Sequence, residues 1–305
     1  MRVTLLGPQR SPSLKSVLRS LELGGPIATI TAGWQEREPD DRELDQQFVS
    51  PGINLGLYGR WLDVQERDPL FATADRRRRQ LLDEVQELYL LRLNHGLEAA
   101  YAVGRRAGNE QLRSDALSEA ITAVRDLDIA HLVRLGDINA EFYDTWAPHH
   151  RPVIAAHRTG VARVLGEAAA LVVAGGRVDV LATVLHVFNV AAALRSPVIA
   201  WSAGAMALAD RVVLFHDRTP QGFGQPEVYG NGLSVVRDVI PLPHARARLL
   251  LDDAIRMAVF ARRFAPARCI LLENGTRVDT DSAGSCPRGT RVLGADGRVS
   301  AWAAA

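Results

Sequence analysis

The chain has 305 residues, of which 47% are hydrophobic and 23% charged. That composition excludes a disordered, collagen-like or disulfide-scaffold protein and leaves one large domain or two small ones. A formal net charge of +1 gives no global electrostatic reason to bind nucleic acid or an anionic membrane.

Residues 3–6 form a short apolar run with no long hydrophobic stretch behind them, so the N-terminus reads as a buried first strand and not a signal peptide. An amphipathic helix is expected over 13–23, with Ser11-Pro12 as N-cap and first helical position. Gly24-Gly25-Pro26 breaks it before a second strand at 27–30, and 53–58 reads as a third. From 62 to 146 no strand is expected. Leu82, Val85, Tyr89 and Leu93 recur at helical spacing there, so this stretch reads as a helical insertion. It holds Arg76-Arg77-Arg78-Arg79, yet its 16 acidic and 11 basic residues make it net acidic. The arginines therefore read as a solvated helix start.

Strands resume at 170–173, 198–200 and 212–215, with helices expected over 178–194 and 245–264. Apolar, β-branched runs separated by helices indicate a parallel sheet buried on both faces. The expected fold is α/β, a three-layer sandwich with a mostly parallel sheet, forming one domain over 1–305 that carries the insertion. No window is long and apolar enough to span a bilayer. Two cysteines, Cys269 and Cys286, are too few for a disulfide framework or a structural zinc site. A cytoplasmic location without cofactor or metal is expected.

The most informative segment is Val198-Ile199-Ala200-Trp201-Ser202-Ala203-Gly204-Ala205. An apolar strand runs into a small-x-Ser-x-Gly turn and then a helix-competent stretch, the order of a nucleophile elbow. Such a turn exposes the Ser202 hydroxyl and aims the Ala203 N–H at the same point. Gly175-Gly176 ends another strand just before a helix, where a backbone free of side chains can present N–H donors. His244, in a Pro-His loop with arginine neighbours, is the expected base, and His216 is its rival. His149, His150 and His157 read as solvated or capping, and His186 as core. Trp34 and Trp201 are either pocket walls or core.

These residues resemble dipeptidase E and the cyanophycinases, serine peptidases of the class I glutamine amidotransferase-like fold. The likeness covers about 170–278. It is carried by Trp201-Ser202-Ala203-Gly204-Ala205, Pro220-Gln221-Gly222-Phe223, Gly232-Leu233-Ser234, Pro243-His244 with Arg246 and Arg248, and Leu271-Leu272-Glu273-Asn274-Gly275. The resemblance implies Ser202 as nucleophile, His244 as general base and Asp217 as the acid orienting it, with Glu227 and Asp238 as competing acids. It also implies an oxyanion hole of Ala203 and Gly175 or Gly176. The implied substrate is a short peptide or peptide-like conjugate with an acidic residue on the acyl side. Gln221 would line its site, and Arg177, Arg246 and Arg248 would be carboxylate clamps. The sequence departs from the family at Arg177-Val178 and Ala245. Two other readings stay open: a catalytically silent scaffold, and a hydrolase acting on an ester or specialised metabolite. A homodimer also stays open.

Overall fold

The computed structural model describes residues 1–9, 13–49, 52–217 and 224–303. The first half of the chain gives β1 (Arg2–Leu6), α1 (Leu14–Ser20), β2 (Ile27–Ile30), α2 (Arg42–Asp45) and β3 (Ile53–Asn54). Then come the helices α3 (Leu57–Arg67), α4 (Pro69–Arg105), α5 (Glu110–Trp146) and α6 (Pro152–Glu167). Next are β4 (Ala170–Val173), α7 (Val178–Val187), α8 (Val190–Ala193), β5 (Val198–Trp201), α9 (Ala203–Leu208) and β6 (Arg211–Leu214). The chain closes with β7 (Glu227–Asn231), β8 (Val239–Pro243), α10 (Ala245–Arg248), α11 (Ala254–Phe264), β9 (Arg268–Leu272), β10 (Arg277–Asp281), β11 (Arg291–Leu293) and β12 (Val299–Ala301).

The main sheet has six strands in the order β10-β1-β5-β4-β2-β3. All its pairings are parallel except β10 on β1. Its four inner strands, β1, β5, β4 and β2, are buried on both faces because each face has a helical cover. Leu5, Ile30, Leu171, Val173 and Val198 pack with Leu181 and Leu185 of α7 and Ile154 and Val161 of α6. Leu6, Ile27, Val172 and Ile199 face the other way, onto Leu14 and Val17 of α1 and Leu44 of α2. This is a three-layer α/β sandwich. Helices reach only what the parallel crossovers carry, so the second face is covered by short pieces.

A second sheet runs β12-β11-β9-β8, with β8 parallel to β9. Residues 211–214 do form a strand, but it pairs antiparallel with β7 in a separate ribbon, outside the parallel sheet expected for it. The expected third strand is cut to two residues, because Gly56 at φ 56 turns the chain into α3. The helix expected over 178–194 divides at Asn189, which sits at φ 52. That over 245–264 is two helices, α11 being capped by the Asp253 side chain on Arg256 N–H. The first helix starts at Leu14, with Ser13 before it, and the Ser11-Pro12 start lies outside the described residues.

The helical stretch is an antiparallel pair, α4 and α5, of 37 residues each. At 1.5 Å per residue each spans about 55 Å. Asp68 caps α4 by accepting from Phe71 N–H, with Pro69 in the first turn, and Asn109 caps α5 by accepting from Leu112 N–H. Tyr89, Leu93 and Leu97 of α4 meet Ile121 and Val124 of α5, together with Met257 and Phe260 of α11. Only Arg76 and Arg77 of the arginine run are exposed, for Arg78 and Arg79 turn inward onto the fully buried Asp75.

One buried guanidinium fastens this hairpin to the rest. Arg263 donates from Nε and Nη2 to Asp128, both at 2.7 Å, from Nη2 to the Tyr89 hydroxyl at 2.9 Å and from Nη1 to the Pro226 carbonyl at 2.6 Å. Tyr89 in turn donates to Asp128 and accepts from Val228 N–H. Elements α4, α5, α11 and β7 thus share one polar knot, in which every charge has a partner. Breaking half of such a pair strands a buried charge. Arg263→Met is expected to cost about 3–5 kcal/mol in urea unfolding, and Arg263→Met with Asp128→Leu to recover most of it. Equal losses in the single and double variants would contradict this.

Candidate functional site

Parallel strands aim their C-terminal ends at one edge of a sheet, and ligands in α/β folds collect there. Here that edge opens on a cavity of about 590 Å³. Pro8 and Gln9 reach it from the end of β1, Trp34 from the turn after β2, Gly175 and Gly176 from β4, and Ser202 from β5. Pro243 and His244 arrive from β8 of the second sheet, and Glu43 and Gln47 from α2 and the turn after it.

Ser202 joins β5 to α9 at φ 51 and ψ −124, a conformation that L-residues seldom adopt. It is half-buried, with its neighbours Trp201 and Ala203 buried. The turn is tight because α9 lies almost on the backbone of β4. A Cβ at Gly204 would sit 2.5 Å from the Val173 carbonyl oxygen and 2.7 Å from that of Ala174. A Cβ at Gly175 would lie 2.9 Å from the Ser202 Cβ. Gly176, at φ 128, rests against Gly33, and Arg177 N–H donates to the Gly33 carbonyl at 2.8 Å. Among the described residues, the amides of Gly175, Gly176 and Ala203 have no acceptor, and all three residues line the cavity that Ser202 lines.

His244 follows β8 in the left-handed conformation, φ 56 and ψ 34, and starts α10. Its N–H donates to the Leu272 carbonyl, which ties it to the end of β9. The rival base, His216, is exposed and is not part of the cavity wall. Asp217 is fully buried and already committed. Its Oδ1 accepts from Arg256 at 2.7 Å, its Oδ2 from Leu250 N–H at 2.9 Å, and its own N–H donates to the Arg248 carbonyl. It thus anchors the end of the turn that begins at His244, and it does not line the cavity. Neither do the competing acids. Glu227 lies in β7 with burial pushing its pKa up, and Asp238 precedes β8.

Of the three arginines expected to clamp a carboxylate, only Arg248 lines the cavity. It is half-buried, burial lowers its pKa, and it has no carboxylate partner among the described residues. Arg177 is held instead by Asp179 in a bidentate pair, and Arg246 is exposed, its backbone N–H donating to Glu273 and its side chain making no hydrogen bond among the described residues. Gln221 lies outside the described residues. Both Trp34 and Trp201 line the cavity.

Other readings of the sequence change with the structure. His186 is exposed at the side of α7 instead of lying in the core, since the helix turns that face toward a second cavity. His157 is engaged by Asp63 at 2.7 Å and by Arg60 at 3.0 Å. The His149 and His150 rings lie 4.1 Å apart in a 3-10 turn. No group of three metal-ligating side chains occurs among the described residues, and no helix among them is long and apolar enough to cross a membrane. Both cysteines are free, and burial pushes Cys269 up to about 12.

Sequence reasoning missed Gln9, Glu43, Gln47 and Met206 as cavity walls. A signal existed for Gln9 and for the Trp34 turn, because each directly follows a parallel strand. None existed for Glu43 and Gln47, which arrive on a short helix with no motif.

No family model matches the chain, and no curated protein matches it. Among solved structures, the chain is similar to one described as a peptidase from an acI-B1 Actinobacterium, with a TM-score of 0.46 and 12% identity, over 96% of this chain and 91% of that one. At that distance the chemistry has to be read from this chain's own residues.

The elbow makes a stability prediction. Gly204→Ala places a methyl against two fixed carbonyls and is expected to cost about 1–3 kcal/mol in urea unfolding. Gly24→Ala, with no atom within 4 Å of the added carbon, serves as the control. A Gly204→Ala protein as stable as that control would show that α9 does not pack on β4 in this way.

Proposed function

We propose that the protein is a serine hydrolase of the dipeptidase E and cyanophycinase kind, cleaving an amide bond in a short peptide or peptide-like substrate. The observation that carries this reading is the placement of Ser202, at φ 51 on a strand-to-helix turn, in one cavity with His244 and three unengaged backbone amides. A serine hydroxyl is a weak nucleophile until an imidazole takes its proton, and a developing oxyanion needs fixed donors. All three parts line the same space.

In the proposed reaction the Ser202 Oγ attacks the scissile carbonyl carbon while His244 accepts its proton. The tetrahedral oxyanion is held by the amides of Ala203 and of Gly175 or Gly176. His244 then returns the proton to the leaving nitrogen as the C–N bond breaks, leaving an ester on Ser202. Water, deprotonated by His244, hydrolyses that ester and restores both residues. Asp217 acts as a positioning residue, holding the turn that starts at His244 through Arg248 and Leu250. Arg248 takes the clamp role expected of Arg177 and Arg246. Its guanidinium is a partner for the substrate's acidic side chain, and Gly175-Gly176 keep the floor beside Ser202 free of side chains.

The test is covalent labelling by a fluorophosphonate. The native protein is expected to label, and Ser202→Ala and His244→Ala to abolish labelling and lower amide hydrolysis at least about 10³-fold. A folded native protein that stays unlabelled would overturn the reading. Among aspartyl and glutamyl dipeptides and their asparaginyl and glutaminyl counterparts, Arg248→Met is expected to raise KM about tenfold or more for the acidic ones alone. An equal change for both sets would remove Arg248 from substrate recognition.

A further inference from the structure

A second and larger cavity, of about 720 Å³, lies between the α4/α5 hairpin and the body of the protein. It borders the side of α7 that carries Asp179, Val180 and Thr183, whereas Val178 at the start of that helix lines the Ser202 cavity. Nothing in the proposed hydrolysis uses it. Its volume is that of a small-molecule site.

Its walls are charged unevenly. Arg158, from α6, donates from Nε to the Val187 carbonyl at 2.8 Å and has no carboxylate partner among the described residues. It is half-buried, and burial pulls its pKa down. A guanidinium removed from water without an anion is costly, and its planar fork fits an oxyanion. Arg78 stands near it. It spends Nη2 on Asp75 and Nη1 on Asn139, and its Nε has no surface open to the cavity, so it acts on a ligand there chiefly through its charge. The Tyr143 hydroxyl lies within the field of both guanidiniums, which offset part of the rise that burial gives its pKa. It makes no hydrogen bond among the described residues, so it too is available. Tyr229 marks the opposite end, where Asp83 and Asp179 act on it. Asp179 is neutralised by Arg177, and Asp83 is exposed with no cation paired to it among the described residues.

We propose that this cavity binds a small polar organic oxyanion, a carboxylate or a phosphate ester, with its charged group held by Arg158, Arg78 and Tyr143 and a hydroxyl-bearing body reaching toward Asp83 and Tyr229. A carboxylate and a phosphate present the same oxygen acceptors to a guanidinium fork, and the acids at the far end favour a body that donates hydrogen bonds. The proposal rests on the cavity alone and is independent of Ser202.

The probes are gluconate, glucose 6-phosphate and the neutral polyol glucitol, titrated into the full-length protein by calorimetry. One or both anions are expected to bind with Kd below about 1 mM, and glucitol at least about tenfold more weakly. The tighter anion identifies the headgroup as carboxylate or phosphate. Arg158→Met and Tyr143→Phe are expected to weaken that binding about tenfold, the latter by deleting a single hydroxyl and preserving the ring. Arg248→Met, in the other cavity, is expected to leave it unchanged. Thermal unfolding of each variant separates loss of the site from loss of the fold. The proposal is overturned if neither anion binds up to about 10 mM, if glucitol binds as well as the anions, or if folded Arg158→Met and Tyr143→Phe bind like the native protein. Weakening by Arg248→Met with no effect of Arg158→Met would move the anion to the Ser202 cavity and also overturn it. Fluorophosphonate labelling is scored separately, so failure of the hydrolase reading and failure of this one are distinguishable.

Discussion

Three turns at the ends of β2, β4 and β5 touch one another through backbone, and the site exists because of that contact. Gly33 lies on Gly175 and Gly176, Gly175 on Ser202, and Gly204 on the carbonyls of Val173 and Ala174. Each approach is closer than a Cβ permits. With side chains there, α9 would stand off from β4 and Ser202 would have no reason to adopt φ 51. The amides of Gly175, Gly176 and Ala203 would spread apart as well. The glycines fix where the backbone passes, and the chemistry attributed to Ser202 follows from where the backbone passes.

Much of this geometry was legible because it is local. A four-residue apolar run, a small-residue turn and an amphipathic helix are adjacent in sequence, and each constrains the next. Thus the strand and helix on either side of Ser202, β5 and α9, read correctly together, as did the strand before Gly175-Gly176. Errors arose where one residue at positive φ redirected the chain. Gly56 turned a predicted strand into α3, and Asn189 divided a predicted helix. The apolar run of β6 gave no sign that its partner would be antiparallel, since hydrophobicity reports burial and not pairing.

Side-chain partners were the least legible feature. Arg177 looks like a clamp beside Gly176, but an aspartate two residues on takes both arms of its fork. Asp217 looks like a triad acid by chain order, yet Arg256, 39 residues further along, claims one of its oxygens. Such pairings depend on helices that meet only in three dimensions. The same holds for Arg263 and Asp128, separated by 135 residues, whose burial no local pattern announces.

Ser202 extends from the six-stranded sheet, while His244 extends from the four-stranded one. The two sheets are joined by the turn from β9 into β10, by apolar packing of Val239, Ile270 and Leu272 with Val198 and Ala200, and by the close passage of Gly7 over the Glu273 carbonyl, where the Gly7 N–H donates to the Thr276 carbonyl. The proposed nucleophile and base therefore stand on different sheets, which meet at a largely apolar seam. Proton transfer tolerates only tenths of an ångström, whereas dispersion contacts soften gradually. The chemistry would thus respond to a loosening of that seam well before the fold did, making turnover a fine gauge of how the two sheets are seated.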